Sequence, residues 1–334
     1  MSTQSTNNLW LVFYHEGFSL RSFLYEVLSK CDSIRYTVSR MYEESERSAS
    51  LTGGRRWKDL RTSRRGEETL RELMRQLLEG IADCHRRNVT HRDLKPENLI
   101  LHTLSQGEQA DSSSPLLKLA DFGSAIDTYA LRHLYGKEGP SILDETLDYA
   151  PPEVLFGDGV PMSLMRPASY DMWSVGVIFL EIVLGSSKVF QVDARTRAII
   201  DQKLRTSSAA VRQQAYLFRA MIVYCIYPPM PSAKSHSQQS RSALVPSKCS
   251  DEHMHELLRS RDPLLLGLPN IWAVKLVRRL LAWNAESRIT AERALQHAYF
   301  TTDGTGFTCA SVGRGKDTSS AWEFEDEAFE NCYG

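Results

Sequence analysis

The chain has 334 residues, 42% of them hydrophobic, with 40 basic and 41 acidic side chains. That length and apolar share allow a sizeable buried core in one or two domains. A net charge of −1 excludes the bulk attraction used by nucleic-acid binders and by proteins held on anionic membranes, so any charged function must come from local clusters. Cys31, Cys84, Cys225, Cys249, Cys309 and Cys332 lack CxxC spacing and lie mostly in or beside apolar runs. This pattern predicts reduced thiols in a cytoplasmic or nuclear protein and argues against a structural zinc site. The patch Leu9–Phe13 lacks the basic flank of a signal peptide, and Met172–Leu184 is short and carries Glu181, so neither a targeting nor a membrane segment is expected.

In chain order, Leu9–Phe13 reads as a buried strand that leaves through His15, Glu16 and Gly17. Ser19 then opens a short helical pattern of Leu20, Phe23, Leu24 and Val27. Residues from about 31 to 67 are polar and arginine-rich, interrupted by Gly53-Gly54, and are expected to be a solvated insertion in which Arg61, Arg64 and Arg65 face water. From Glu68, the spacing of Leu70, Leu73, Met74, Leu77, Leu78, Ile81 and Ala82 predicts an amphipathic helix ending near His85–Asn88.

Leu99–Leu101 and Leu116–Ala120 flank a Ser-rich turn and predict a small hairpin. Residues 123–151 read as a long loop, Tyr170–Leu184 as a buried helix and Leu204–Tyr227 as another helix. Residues 228–262 read as an exposed insertion of low complexity, Ile271–Trp283 and Ala291–His297 as closing helices, and 301–334 as a disordered acidic and aromatic tail. No internal repeat is evident in the sequence.

Chemistry concentrates in His91-Arg92-Asp93-Leu94-Lys95-Pro96-Glu97-Asn98. Phosphoryl transfer needs a carboxylate beside the attacking hydroxyl and oxygen ligands for the magnesium that holds the phosphates in line. Asp93 suits the first task and Asn98 the second, while Lys95 can neutralise charge on the transferred group. Asp121-Phe122-Gly123 follows 23 residues after Asn98, across the predicted hairpin. It supplies a second metal-binding carboxylate and a glycine that lets the backbone turn.

These motifs resemble the eukaryotic Ser/Thr protein kinase superfamily. The match continues through Thr146, Tyr149 and Ala150-Pro151-Pro152-Glu153, where a second proline enters the family's Ala-Pro-Glu pattern, then through Asp171-Met172-Trp173 and Arg288. The resemblance covers roughly residues 9–300, with insertions at about 31–67 and 228–262, and residues 1–8 form a short tail. It implies a mainly α, α+β kinase-like fold consisting of the helical lower lobe and the hinge strand. It also implies catalytic roles for Asp93 and Lys95, magnesium at Asn98 and Asp121, and ATP against Phe13, Tyr14, His15, Glu16 and Ile100. His91, Arg92, Phe122, Gly123, Glu153, Asp171 and Arg288 are implied to be structural, with His91 stacked on Phe122 and Arg288 paired with Glu153.

Family members also carry, ahead of the hinge, a glycine-rich phosphate loop, a strand lysine and a helix glutamate that holds it. Eight residues precede Leu9, and Gly53-Gly54 lacks the GxGxxG pattern. A charge-assisted hydrogen bond is worth roughly 1.5–3 kcal/mol. About 1.4 kcal/mol of barrier is tenfold in rate, so loss of the clamp is expected to cost several orders of magnitude. The expectation is a truncated, inactive Ser/Thr kinase that binds or regulates a protein partner, with neither nucleic acid nor membrane involved. The alternative is a weak or complemented kinase that uses Mg and ATP to phosphorylate Ser or Thr of protein substrates.

Overall fold

The computed structural model describes residues 16–25, 54–102, 115–133, 146–157, 167–228 and 249–301. The expected strand at Leu9–Phe13, the residues Phe13, Tyr14 and His15, the tail at 302–334 and most of both insertions lie outside these residues.

At the centre is α6 (Pro167–Leu184), in which every residue from Ser169 to Leu184 is buried. Among the described residues it is the one helix long and apolar enough to cross a membrane, and 89% of its apolar window is buried inside the protein. Its all-round apolarity is therefore that of a core helix covered on every side. Around it pack α3 (Arg64–Arg86) and α10 (Ile271–Leu280). The predicted stripe of α3 is buried throughout, from Leu70 to Ala82. The helix begins one turn earlier than the periodicity indicates because the Ser63 side chain accepts a hydrogen bond from the Gly66 N–H at 2.9 Å.

The hairpin forms as expected. β2 (Leu99–His102) pairs antiparallel with β3 (Leu116–Leu119), and β1 (Phe18–Ser19) adds to the free edge of β2. Ser19 caps α1 (Leu20–Leu24) through the Ser22 N–H. The sheet order is β1-β2-β3.

Four expectations are corrected. The stretch from 54 to 67 is not a solvated insertion, because α2 (Arg55–Thr62) packs against α3 with Trp57 and Leu60 buried. Trp57 donates its indole N–H to the Ile182 carbonyl at 2.6 Å. Gly185 sits opposite at φ +62°, where a Cβ would come within 2.5 Å of the Trp57 ring. Arg61, expected in water, forms a buried ion pair with Asp262 at 2.8 Å and donates to the Gly267 carbonyl at 2.6 Å.

The second correction falls at the other insertion, where α9 (Asp251–Arg261) buries Met254 and Leu258 against α10. Three apolar residues in eleven, Met254, Leu257 and Leu258, leave too weak a periodicity to read, but tertiary contact gives two of them a partner. The third concerns Leu204–Tyr227, which is broken by Ser208 acting as N-cap of α8 (Ala209–Val223), with the separate α7 (Ala194–Lys203) before it. The 123–151 loop likewise contains α4 (Thr128–His133).

The fourth concerns the thiols. Cys225 and Cys249 form a disulfide across a sequence separation of 24, whereas Cys84 is free. Pairing over that distance is decided by the positions of α8 and α9 and leaves no mark in local spacing. The remaining helices are α5 (Pro152–Leu155), α11 (Ala291–Leu295) and α12 (Ala298–Thr301), and α11 and α12 pack on α3.

Candidate active site

The 91–98 loop takes its shape from a single buried carboxylate. Asp171, in the first turns of α6, accepts the backbone N–H of His91 on Oδ2 and that of Arg92 on Oδ1, both at 2.9 Å. His85, on the last turn of α3, contacts the same Oδ2 at 2.9 Å. Two aligned N–H donors satisfy a charge that would otherwise be costly to bury. They also hold Arg92 at φ +67°, a left-handed conformation that non-glycine residues adopt at an energetic cost.

His91 donates from Nε2 to the Ala120 carbonyl at 3.0 Å and packs against Phe122 with the rings tilted by 49° and their centroids 4.6 Å apart. This joins the loop to the end of β3. Phe122 is nevertheless 45% exposed.

The sequence-predicted catalytic residues come together. The Asp93 carboxylate receives Lys95 Nζ at 2.7 and 3.0 Å, the Thr146 hydroxyl at 3.0 Å and the Asn98 amide N–H at 3.0 Å. Asn98 also donates to the Asp93 carbonyl at 2.8 Å, so its nitrogen is committed and its amide oxygen remains as an acceptor. The Ala120 N–H donates to the Asn98 carbonyl at 2.9 Å, which brings Asp121 alongside. Asp121 itself is left-handed at φ +62° and exposed, with its carboxylate accepting the Gly123 N–H at 3.3 Å. An amide oxygen and a carboxylate are the hard donors that magnesium prefers, so Asn98 and Asp121 fit that ion.

Of the residues expected to meet the nucleotide, Glu16 and Ile100 are described. Ile100 is half-buried in β2, opposite Ser19. Glu16 is exposed and paired with Lys118, whose hydrogen bond and charge hold the Glu16 carboxyl below its ordinary range. The Glu16 carbonyl accepts His102 Nδ1 at 2.9 Å.

The lower lobe is locked by the pair that the family resemblance implies. Arg288 engages both oxygens of Glu153 and donates to the carbonyls of Ser169, Ala282 and Trp283 at 2.8–3.0 Å. Its guanidinium lies 5.2 Å from the Trp173 ring centroid. Pro152 begins α5 at its first turn, where a missing N–H costs nothing, so the extra proline is accommodated.

Glu181 was not identified from the sequence as a functional residue. It is completely buried on α6 and accepts Tyr25 at 2.7 Å and Tyr149 at 2.5 Å. Burial pushes its carboxyl up to about 7, against the opposing pull of the two tyrosine hydrogen bonds. Burial followed by the neighbouring Glu181 charge raises both tyrosines as well. The one available signal was an acid inside the apolar run Met172–Leu184, which marks a buried polar group in need of partners. His85 gave no comparable signal, because its partner lies 86 residues away.

A helical lobe that suspends an aspartate–lysine–asparagine loop from a buried helix, beside a magnesium-type carboxylate, defines a phosphotransferase architecture. The family model described as protein kinase domain matches residues 19–300, and the chain belongs to the protein kinase family. It is 42% identical over 311 residues to an Arabidopsis thaliana protein described as a probable inactive protein kinase, covering 88% of this chain and 80% of that one. It is 31% identical to cell division control protein 2 homolog 1 of Trypanosoma brucei brucei, covering 70% of this chain and 66% of that protein. Homolog 3 from the same organism is 32% identical, with 70% and 60% covered. Among solved structures, the yeast RNA Pol II CTD kinase CTDK-1 complex aligns over 74% of this chain and 66% of that chain, with 22% identity and a TM-score of 0.42.

Proposed function

We propose that this chain is an inactive protein kinase that works as a binding or regulatory module for a protein partner. The observation that carries this reading is the contrast between an assembled catalytic loop and a sequence with no GxGxxG phosphate loop anywhere in its 334 residues. The 42% identity to a plant protein described as a probable inactive kinase supports it. Phe122 and Leu147 expose large apolar side chains beside the catalytic loop and offer a surface to a protein.

Asn98 and Asp121 would hold magnesium, and Ile100 would lie against the adenine of ATP. These residues would bind and orient the nucleotide, whereas this sequence holds no GxGxxG pattern to fix the terminal phosphate. The preformed contact of Asp93 with Lys95 and Thr146 favours a second reading, a weak or complemented kinase acting on Ser or Thr.

Incubation of the full chain with Mg-ATP and casein separates the two. The proposal expects phosphate incorporation no greater than that of Asp93→Asn, and little thermal stabilisation by Mg-ATP. Incorporation that Asp93→Asn abolishes, or a large thermal shift that Asp121→Ala abolishes, would overturn it.

A further inference from the structure

Away from the kinase loop, the junction between α8 and α9 gathers three ligating side chains that the phosphotransfer machinery does not use. One ligand atom each from Cys225, Cys249 and His253 lies within 4.8 Å of the others. Cys225 follows the last turn of α8 at φ +64°, and its N–H is held by the Ile222 carbonyl at 3.0 Å. Cys249 is buried just ahead of α9, and its carbonyl accepts Arg278 at 2.8 Å. Arg278 is in turn braced by Asp251 at 3.3 Å. His253 is in the first turn of α9, where its N–H donates to the capping Ser250 hydroxyl at 3.2 Å. Its ring is exposed.

Cys249 and His253 therefore flank the capped start of α9 and Cys225 the end of α8, so the backbone of all three ligands is held by hydrogen bonds, which is what a preorganised metal site requires. Cys249 and His253 are separated by three residues, a ligand spacing found in zinc sites, and Cys225 supplies the distant third ligand. Two thiolates and a neutral imidazole match a divalent borderline-soft ion in charge and softness. The positive N-terminal end of α9 favours the thiolate form.

We propose that Cys225, Cys249 and His253 form a binding site for a thiophilic divalent cation of the zinc class, open when the two cysteines are reduced and closed when they form the disulfide. A dithiol reductant supplies two electrons and two protons, breaks the S–S bond and leaves two thiols while its own thiols become a disulfide. Metal binding then releases the two thiol protons and forms two metal–sulfur bonds and one metal–nitrogen bond, with water in the fourth position.

The test is a cobalt(II) titration of the full chain, reduced and freed of metal, followed by displacement with zinc. A single cobalt per chain with thiolate-to-cobalt charge-transfer absorption is expected. Cys225→Ser and Cys249→Ser should each remove the absorption, whereas Cys84→Ser should keep it. His253→Ala, at an exposed position that leaves the disulfide and the core intact, should weaken binding by at least the roughly 10- to 100-fold that losing an outer-shell partner costs. Diamide oxidation should abolish binding, and a dithiol should restore it. Absence of the charge-transfer band in the reduced chain, an unchanged affinity in His253→Ala, or binding that survives oxidation would each overturn the site.

Discussion

The side of the catalytic loop that rests on α6 and the side that carries Asp121 and Phe122 differ in how completely their polar and apolar groups are matched. Below, Asp171 is fully buried and accepts two loop N–H groups, and Arg288 reaches Glu153 and three carbonyls. Above, Asp121, Glu16 and Phe122 are exposed. The same eight residues therefore serve a structural role on one side that does not depend on whether the other side performs chemistry. The lower lobe needs the loop for packing, whether or not the loop performs chemistry.

Substitution at Asp171 probes that difference most strongly. Asp171→Ala leaves two buried N–H groups without an acceptor and should destabilise the fold by about 3–5 kcal/mol in urea unfolding. A loss below about 1 kcal/mol would mean that the loop is not suspended from α6.

Glu181 offers a middle-sized effect with a defined pH window. Its folded pKa of about 7 lies above the ordinary 4.5, so the folded state binds more protons than the unfolded state between those values. Stability is therefore highest below the ordinary value and falls as pH rises towards 7, by at most about 3 kcal/mol. Glu181→Gln should flatten this part of the stability profile, measured by chemical unfolding from pH 4 to 8. If the slope is retained, another group is responsible.

The smallest effect belongs to the upper side. Phe122→Ala removes a half-exposed ring and one ring contact with His91 and should cost about 1 kcal/mol. A loss as large as that of Asp171→Ala would show that the two sides are equally structural.

Much of this architecture was legible locally. The α3 stripe, the hairpin, the buried α6 and the order of Asp93, Asn98, Asp121, Glu153 and Arg288 all follow from periodicity and motif spacing. The misread stretches share a physical cause. Arg55–Thr62 and Asp251–Arg261 are polar helices whose few apolar residues, Trp57, Leu60, Met254 and Leu258, acquire meaning only when another helix covers them. Average polarity over such a window reports the exposed majority and hides the buried minority.

By itself, the sequence determined the family, the buried helix and the identity of the loop that carries the catalytic groups, because these rest on spacing along the chain. Only the tertiary structure decided the pairing of Arg61 with Asp262, of Glu181 with Tyr25 and of Cys225 with Cys249, across 201, 156 and 24 residues. A buried charge or thiol is stabilised by whatever the fold brings within bonding distance, and that distance is set by helix packing.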